Sequence, residues 1–305
     1  MTLSRRKFIT SAAAGLTLSS LMPFGSSPLG KTPSDKIRVG LIGCRNQGFY
    51  ILRLHINQPN VECTALCDVD LNILSDRADE IEKVQGSKPA LFSDHRKMLE
   101  SPDLDAVIIG TPDHWHCFQF VDALEAGKHV YLEKPIANSI EECNIMRQAA
   151  HHHRDLTVQV GQQQRSGTHW GEAIDLIQSG KMGKIRRVRI WCNFDYGVGQ
   201  PKVPDEPVPN GVDFDRWLGP APDRTFNPAR FHGSWRMFWD YGSGLMTDWG
   251  VHLIDMAIWG MNIDKMPKEV VSYGGIFSHK DHAHETPSTL SVSYKMDDYC
   301  FDWEH

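Results

Sequence analysis

The sequence predicts an α/β protein in which a doubly wound parallel sheet is followed by a second α/β domain. Three observations point there. Short apolar runs alternate with amphipathic segments from residue 37 onward. The first run leads into a glycine turn, "IRVGLIGCRNQG" (37–48), and the second, "VECTALCDVD", ends in acid. Strands followed repeatedly by helices pair in parallel through right-handed crossovers.

The elements follow in order. "KIRVGLIG" reads as a buried strand and "FYILRLHI" as the helix leaving the turn. "VECTALCDVD" is a second strand. "LNILSDRADEIEKV" is a helix with Leu71, Leu74, Ala78 and Ile81 on one face. "DAVIIGTP" is a third strand, "CFQFVDALEAG" a helix closed by Gly127, and "KHVYLEKP" a further strand. "NSIEECNIMRQAAHH" opens with Ser139 and Glu142 at capping-box spacing. The expected division is a signal and linker over 1–35, a nucleotide-binding domain over 36–157, and a substrate domain over 158–305.

The glycine turn departs from G-x-G-x-x-G at its centre. Gly43 permits the tight turn and Gly48 close helix–strand packing, with Asn46 and Gln47 between them, but Arg45 replaces the middle glycine. Its side chain is expected to turn outward, where a guanidinium can pair with phosphate oxygens. Asp68 follows Gly48 by 20 residues, the place where a carboxylate accepts hydrogen bonds from ribose hydroxyls. Its charge would repel a 2′-phosphate, which favours NAD over NADP. Arg45 or Arg53 would soften that preference and keep NADP possible.

Composition narrows the function classes. The net charge of −6 and the absence of a basic stripe argue against nucleic acid. Beyond the N-terminus no apolar run reaches the roughly 20 residues that span a bilayer. "SRRKFITSAAAGLTLSSLMPF" has the layout of a twin-arginine export signal, with Arg5 and Arg6 before a mildly apolar stretch. A periplasmic location without stable membrane insertion is therefore expected. Seven cysteines, an odd number mostly among apolar neighbours, read as buried thiols. No metal site is expected: the histidines at 151–153 read as the solvated end of a helix, and His279, His282 and His284 as part of a polar loop.

A second constellation lies in "TDWGVHLIDMAIWGM". This reads as a nearly all-apolar helix carrying Asp248, His252 and Asp255 at i, i+4 and i+7, on one face. A buried helix does not carry ionisable groups without partners or a cavity for them. The functional weight falls on Asp248 and His252, while Asp255 suits a structural role. Just upstream, "RFHGSWRMFWDYGSG" gathers Arg236, Trp239 and Tyr241 among aromatics and donors suited to a sugar, with Phe238 and Trp235 as core candidates. "VPDEPVPNGVDFDRWLGPAPDRTFNP" reads as a long irregular segment wrapping over the site.

The motifs "GLIGCRNQG", "ALCDVD", "GTPDHWH" and "YLEKP", with the later "VGQQQRS", "WLGPAP" and "TDWGVHLID", resemble the glucose–fructose oxidoreductase/inositol dehydrogenase/MocA family. They are most similar to its exported, twin-arginine branch. The resemblance implies an N-terminal Rossmann domain, a C-terminal domain with a mainly antiparallel open sheet, and bound NAD(P), which a protein exported folded is expected to carry tightly. It implies hydride transfer at a secondary hydroxyl of a sugar, cyclitol or glycoside, and a homo-oligomer. It places Thr111, Pro112, His116, Glu133 and Lys134 at the cofactor, suggests a cis Lys134–Pro135 bond, and puts Gln164 and Arg165 beside the substrate cleft after the first strand of the second domain. For His116 a plain structural role is an equal alternative. By the same resemblance His252 is the base, Asp248 its orienter and a substrate anchor, and Lys134 the stabiliser of the developing alkoxide. Family members continue past residue 305, so the substrate domain is expected to be incomplete. Two other classes stay open. One is an NAD-dependent redox glycoside lyase or hydrolase, with a further base among His232, Asp240 and Tyr241; the other is a non-catalytic sugar sensor, which the complete lysine–aspartate–histidine set disfavours.

Overall fold

The computed structural model describes residues 36–193, 200–277 and 281–305. The signal-like N-terminus and His279 lie outside them. The chain divides into two units. Unit 1 holds the described residues up to Gly161 together with Pro207–Arg224, and unit 2 holds Gln162–Glu206 and Thr225–His305.

Unit 1 is built on six parallel strands: β1 (Ile37–Ile42), β2 (Val61–Cys67), β3 (Ala90–Phe92), β4 (Ala106–Ile109), β5 (His129–Leu132) and β6 (Val158–Val160). Their order is β3-β2-β1-β4-β5-β6, the Rossmann order, in which the order of adding strands reverses between β1 and β4. The helices are α1 (Asn46–Ile56), α2 (Leu71–Gln85), α3 (His95–Leu99), α4 (Asp113–Glu125) and α5 (Ile140–His152). The central strands are apolar because helices cover both faces. Leu41, Leu66, Ile108, Ile109 and Leu132 are all fully buried. On α2 the buried stripe is Leu74, Ala78 and Ile81. Leu71, expected on that face, is exposed, since it opens the helix at the sheet rim. The Ser139 hydroxyl caps α5 by accepting from the Glu142 amide, and Gly127 closes α4 with φ +70°.

Two expectations shift. β3 and α3 are too short to show a period, and the sequence reading passed over them. β6 pairs parallel with β5, so it is the last strand of the first sheet and not the first strand of the second domain.

Unit 2 carries a four-stranded sheet of β7 (Arg187–Trp191), β8 (Glu269–Gly275), β9 (Thr289–Lys295) and β10 (Cys300–Glu304), ordered β7-β10-β9-β8. The β8–β9 and β9–β10 pairs are antiparallel and β7–β10 is parallel, a mainly antiparallel sheet as expected. One face turns inward through Val292, Phe301 and Trp303, the last completely buried. α6 (Thr168–Gln178) packs on the long apolar helix through Gly260, where a Cβ would lie 3.2 Å from Ile174. No helix among the described residues is long and apolar enough to cross a membrane.

Candidate functional site

The glycine turn is shaped by close backbone contact. Gly43 has φ +89°, and a Cβ there would lie 2.8 Å from the Gly110 carbonyl carbon. A Cβ on Gly48 would come 2.2 Å from the Gly43 oxygen, and one on Gly110 2.6 Å from the Gly48 Cα. Three glycines therefore let β1, α1 and β4 meet without side chains between them. The sequence reading missed Gly110, whose signal was a glycine ending a buried strand.

The turn leaves an anion seat. Arg45 is the N-cap of α1 but makes no side-chain capping bond, and the first turn holds no acid. The amides of such a helix start attract phosphate oxygens. The Arg45 guanidinium is partly exposed with Nη1 3.9 Å from Asp70, and its buried Nε has no partner among the described residues. This orphaned donor and the glycine cradle fit a dinucleotide's pyrophosphate.

Asp68 directly follows β2 with both oxygens engaged. Oδ2 accepts from the Cys44 amide at 2.6 Å and Oδ1 from the Asp70 amide at 2.9 Å. Spare lone pairs remain for a ribose hydroxyl. Burial pushes its carboxyl above the usual range, against the pull of these amides.

The loop after β5 is tied to its neighbours. Glu133 is buried, and its oxygens accept from the Gln47 side-chain amide at 3.4 Å and from the Lys134 amide at 3.2 Å. The Lys134–Pro135 bond is cis, in keeping with the resemblance. Lys134 is half-buried. Thr111 donates its hydroxyl to Gln119 at 2.7 Å, and Pro112 caps α4.

His116 is 1% exposed, with Nδ1 2.7 Å from the Pro135 carbonyl and Nε2 2.9 Å from the Thr111 carbonyl. A neutral ring donates to one carbonyl, a cationic ring to both. This is a core histidine joining the two loops, in keeping with the structural role held open for it.

In unit 2 the apolar helix is interrupted. α7 (Phe214–Leu218) belongs to unit 1; α8 (Gly244–Asp248) and α9 (Gly250–Gly260) flank Trp249, where a single helix was expected. Trp249 keeps near-helical angles, so Asp248 ends one helix and His252 lies in the first turn of the next. They are 6% and 3% exposed. The Arg236 Nε donates to Asp248 at 3.0 Å, and its guanidinium lies 4.3 Å from the Trp235 ring centre. The ring of Trp249 meets that of His252 edge-on at 5.7 Å.

The expected substrate residues separate. Arg165 is bidentate to Asp255 at 2.7 and 2.8 Å and lies 5.2 Å from the Trp259 ring centre, so it braces α9. This also gives Asp255 its structural partner. Tyr241 is 1% exposed and fills the core with Trp235 and Phe238, while Trp239 is 52% exposed. Gln162 donates to the Val251 carbonyl at 3.4 Å, and Gln164 is half-buried with an orphaned Oε1 among the described residues. Tyr241 thus serves the core and Arg165 pairs with Asp255, while Arg236 holds Asp248 and the Trp239 ring stays exposed.

A model of the GFO/IDH/MocA oxidoreductase family, NAD-binding Rossmann fold, matches residues 37–162, and the model of that family's C-terminal alpha/beta domain matches 166–301. The chain belongs to this family. Its first unit is an NAD-binding Rossmann domain.

The WlbA dehydrogenase from Bordetella pertussis, solved with NADH and UDP-GlcNAcA, is 20% identical with a TM-score of 0.64, covering 88% of this chain and 70% of that one. The scyllo-inositol dehydrogenase from Lactobacillus casei, solved with NAD(H) and scyllo-inositol, is 22% identical with a TM-score of 0.62, covering 88% and 69%. At these identities the likeness is one of fold. A glycosyl hydrolase family 109 protein from Shewanella baltica is 36% identical over 113 residues, 36% of this chain and 25% of the relative. The match spans about a quarter of that curated relative's length.

Proposed function

We propose that the protein is an NAD-dependent dehydrogenase acting on a secondary hydroxyl of a sugar, cyclitol or glycoside. The observation that carries this is the intact Glu133-Lys134-Pro135 loop at the carboxyl end of β5, the strand end that borders a Rossmann ligand crevice. When bound, NAD supplies the hydride acceptor. Gly43, Arg45, Asn46, Gln47 and Gly48 would hold its pyrophosphate, Asp68 its ribose, and Thr111, Pro112, Glu133 and Lys134 border its reactive end.

Alcohol oxidation also releases a proton from oxygen. Histidine takes it without large pKa tuning, and His252 is assigned that step. Asp248, held by Arg236, orients the base and anchors a neighbouring hydroxyl. Lys134 donates to the oxygen as negative charge grows on it. The exposed ring of Trp239 offers a face for sugar C–H groups, and Gln164 an acceptor for a hydroxyl.

Asp68→Ser is expected to raise NADP use relative to NAD, read as the ratio of the two kcat/KM values. An unchanged ratio would remove Asp68 from the ribose. The sign with pH follows from its raised carboxyl. Repulsion of a 2′-phosphate needs the ionised form, so discrimination holds above the folded pKa. It fades as pH falls through that value, which lies above the ordinary ~3.9. The substitution also removes an acceptor from the Cys44 and Asp70 amides, so a modest loss of stability accompanies it.

The family 109 relative favours a second reading, a glycosidase that oxidises its sugar transiently and returns the hydride. Incubating the protein with a glycoside and no external acceptor separates the two. The dehydrogenase accumulates keto-sugar and reduced cofactor; free aglycone without either identifies the glycosidase. The signal-like N-terminus supports a periplasmic location, tested by cell fractionation. Self-association completes the proposal: Trp191, Val271 and Tyr273 are exposed, and the strand pairing sets them on one face of the second sheet. A monomer in sedimentation equilibrium would contradict it.

A further inference from the structure

We propose that residues 210–217 form an outer wall of the dinucleotide site in unit 1, closing it on the adenosine side and slowing cofactor release. The inference rests on reading unit 1 as the NAD site.

The sequence suggested a loose wrapping segment. The structure shows a docked strap that contains α7. It pairs across the residues just beyond Asp68: the Leu71 amide donates to the Gly211 carbonyl and the Asp213 amide to the Val69 carbonyl, each at 2.9 Å. The Asn72 side chain donates to the Asn210 carbonyl at 3.0 Å. Beyond β3, Arg216 meets Asp94 at 2.7 Å. Beyond β4, the Trp217 carbonyl lies 3.0 Å from His114 Nε2 and accepts from Trp115 Nε1 at 2.9 Å. Phe214, Trp217 and Leu218 are buried, and the first two stack at 5.5 Å.

One segment therefore ties together the chain that leaves the carboxyl ends of β2, β3 and β4. In a doubly wound sheet those ends border the ligand crevice, and the acid ending the second strand marks its ribose side. A short stretch of irregular chain would not dock so firmly by chance of composition, since its backbone groups could equally be met by water. Here the strap's backbone groups are met by the ribose-side loop itself. A ligand behind such a wall leaves no faster than the wall opens.

Gly219 offers a means of unseating the strap without altering any residue within 210–217. It has φ +50°, and a Cβ there would lie 2.1 Å from the Trp115 ring. NADH released from the Gly219→Ala protein, followed by fluorescence after dilution into excess NAD, is expected to dissociate about tenfold faster or more. A second measurement needs no substitution. Adding NAD to the unaltered protein is expected to slow hydrogen exchange at the Leu71 and Asp213 amides along with that of the turn at 43–48. Protection of the turn without protection of those two amides would overturn the strap proposal and leave the cofactor reading standing. No binding of NADH to the unaltered protein would overturn both.

Discussion

His252→Ala and Lys134→Met are each expected to cut turnover about a hundredfold or more while leaving NAD bound. A hundredfold corresponds to about 2.7 kcal/mol of lost transition-state stabilisation. His252 is 3% exposed on an apolar helix, four residues after Asp248, and imidazole is the side chain suited to taking a proton from a hydroxyl. Lys134 belongs to a loop whose Glu133 is already held by Gln47 and by the Lys134 amide. Methionine at 134 keeps the stem and removes only the charge and its donors. The measurement is single-turnover reduction of bound NAD with saturating sugar, with cofactor content read separately. Near-normal turnover in His252→Ala would remove it as the base. Turnover lost together with the cofactor would mean that the substitution acted on folding.

Gly48→Ala is expected to weaken NAD binding roughly ten- to hundredfold and to lower the melting temperature. The added Cβ would sit 2.2 Å from the Gly43 oxygen, a backbone atom inside the tight turn with no flexible side chain to give way. Relief requires α1 to move off β1, which displaces the helix start from the anion seat it provides. Gly86→Ala is the comparison. Unlike Gly48, it has positive φ, at +76°, and nothing lies within 4 Å of its Cβ, so it reports a backbone penalty alone, where Gly48→Ala reports the collision. Titration calorimetry with NAD reads the first effect and thermal unfolding the second. Equal NAD affinity in Gly48→Ala and the unaltered protein would show that the turn does not shape the site.

Much of the first unit was legible because its signals are local. Buried parallel strands read as apolar runs, and the caps at Ser139 and Gly127 act within one turn of their helices. The glycine turn could be recognised despite Arg45, because the tight turn needs Gly43 and the close packing needs Gly48. The ionisable residues on the apolar helix stood out because their burial is costly wherever the helix lies. β3 and α3, at three and five residues, carried too few positions for a pattern.

The identity of the elements, the glycine turn, Lys134 and the Asp248–His252 pair were determined by the sequence itself. Each depends on residues within a few positions of one another. Partnership was decided only by the tertiary structure, since a hydrogen bond between distant residues leaves no periodic trace. It bound Arg165 to Asp255 and Arg236 to Asp248. It put His116 between two loop carbonyls and Tyr241 in the core. It also laid the Trp217 segment against loops that follow β2, β3 and β4, a hundred or more residues earlier in the chain. Side chains of one type served equally well in the sequence as ligand contacts or as braces, and their role followed from what the folded chain brought within reach.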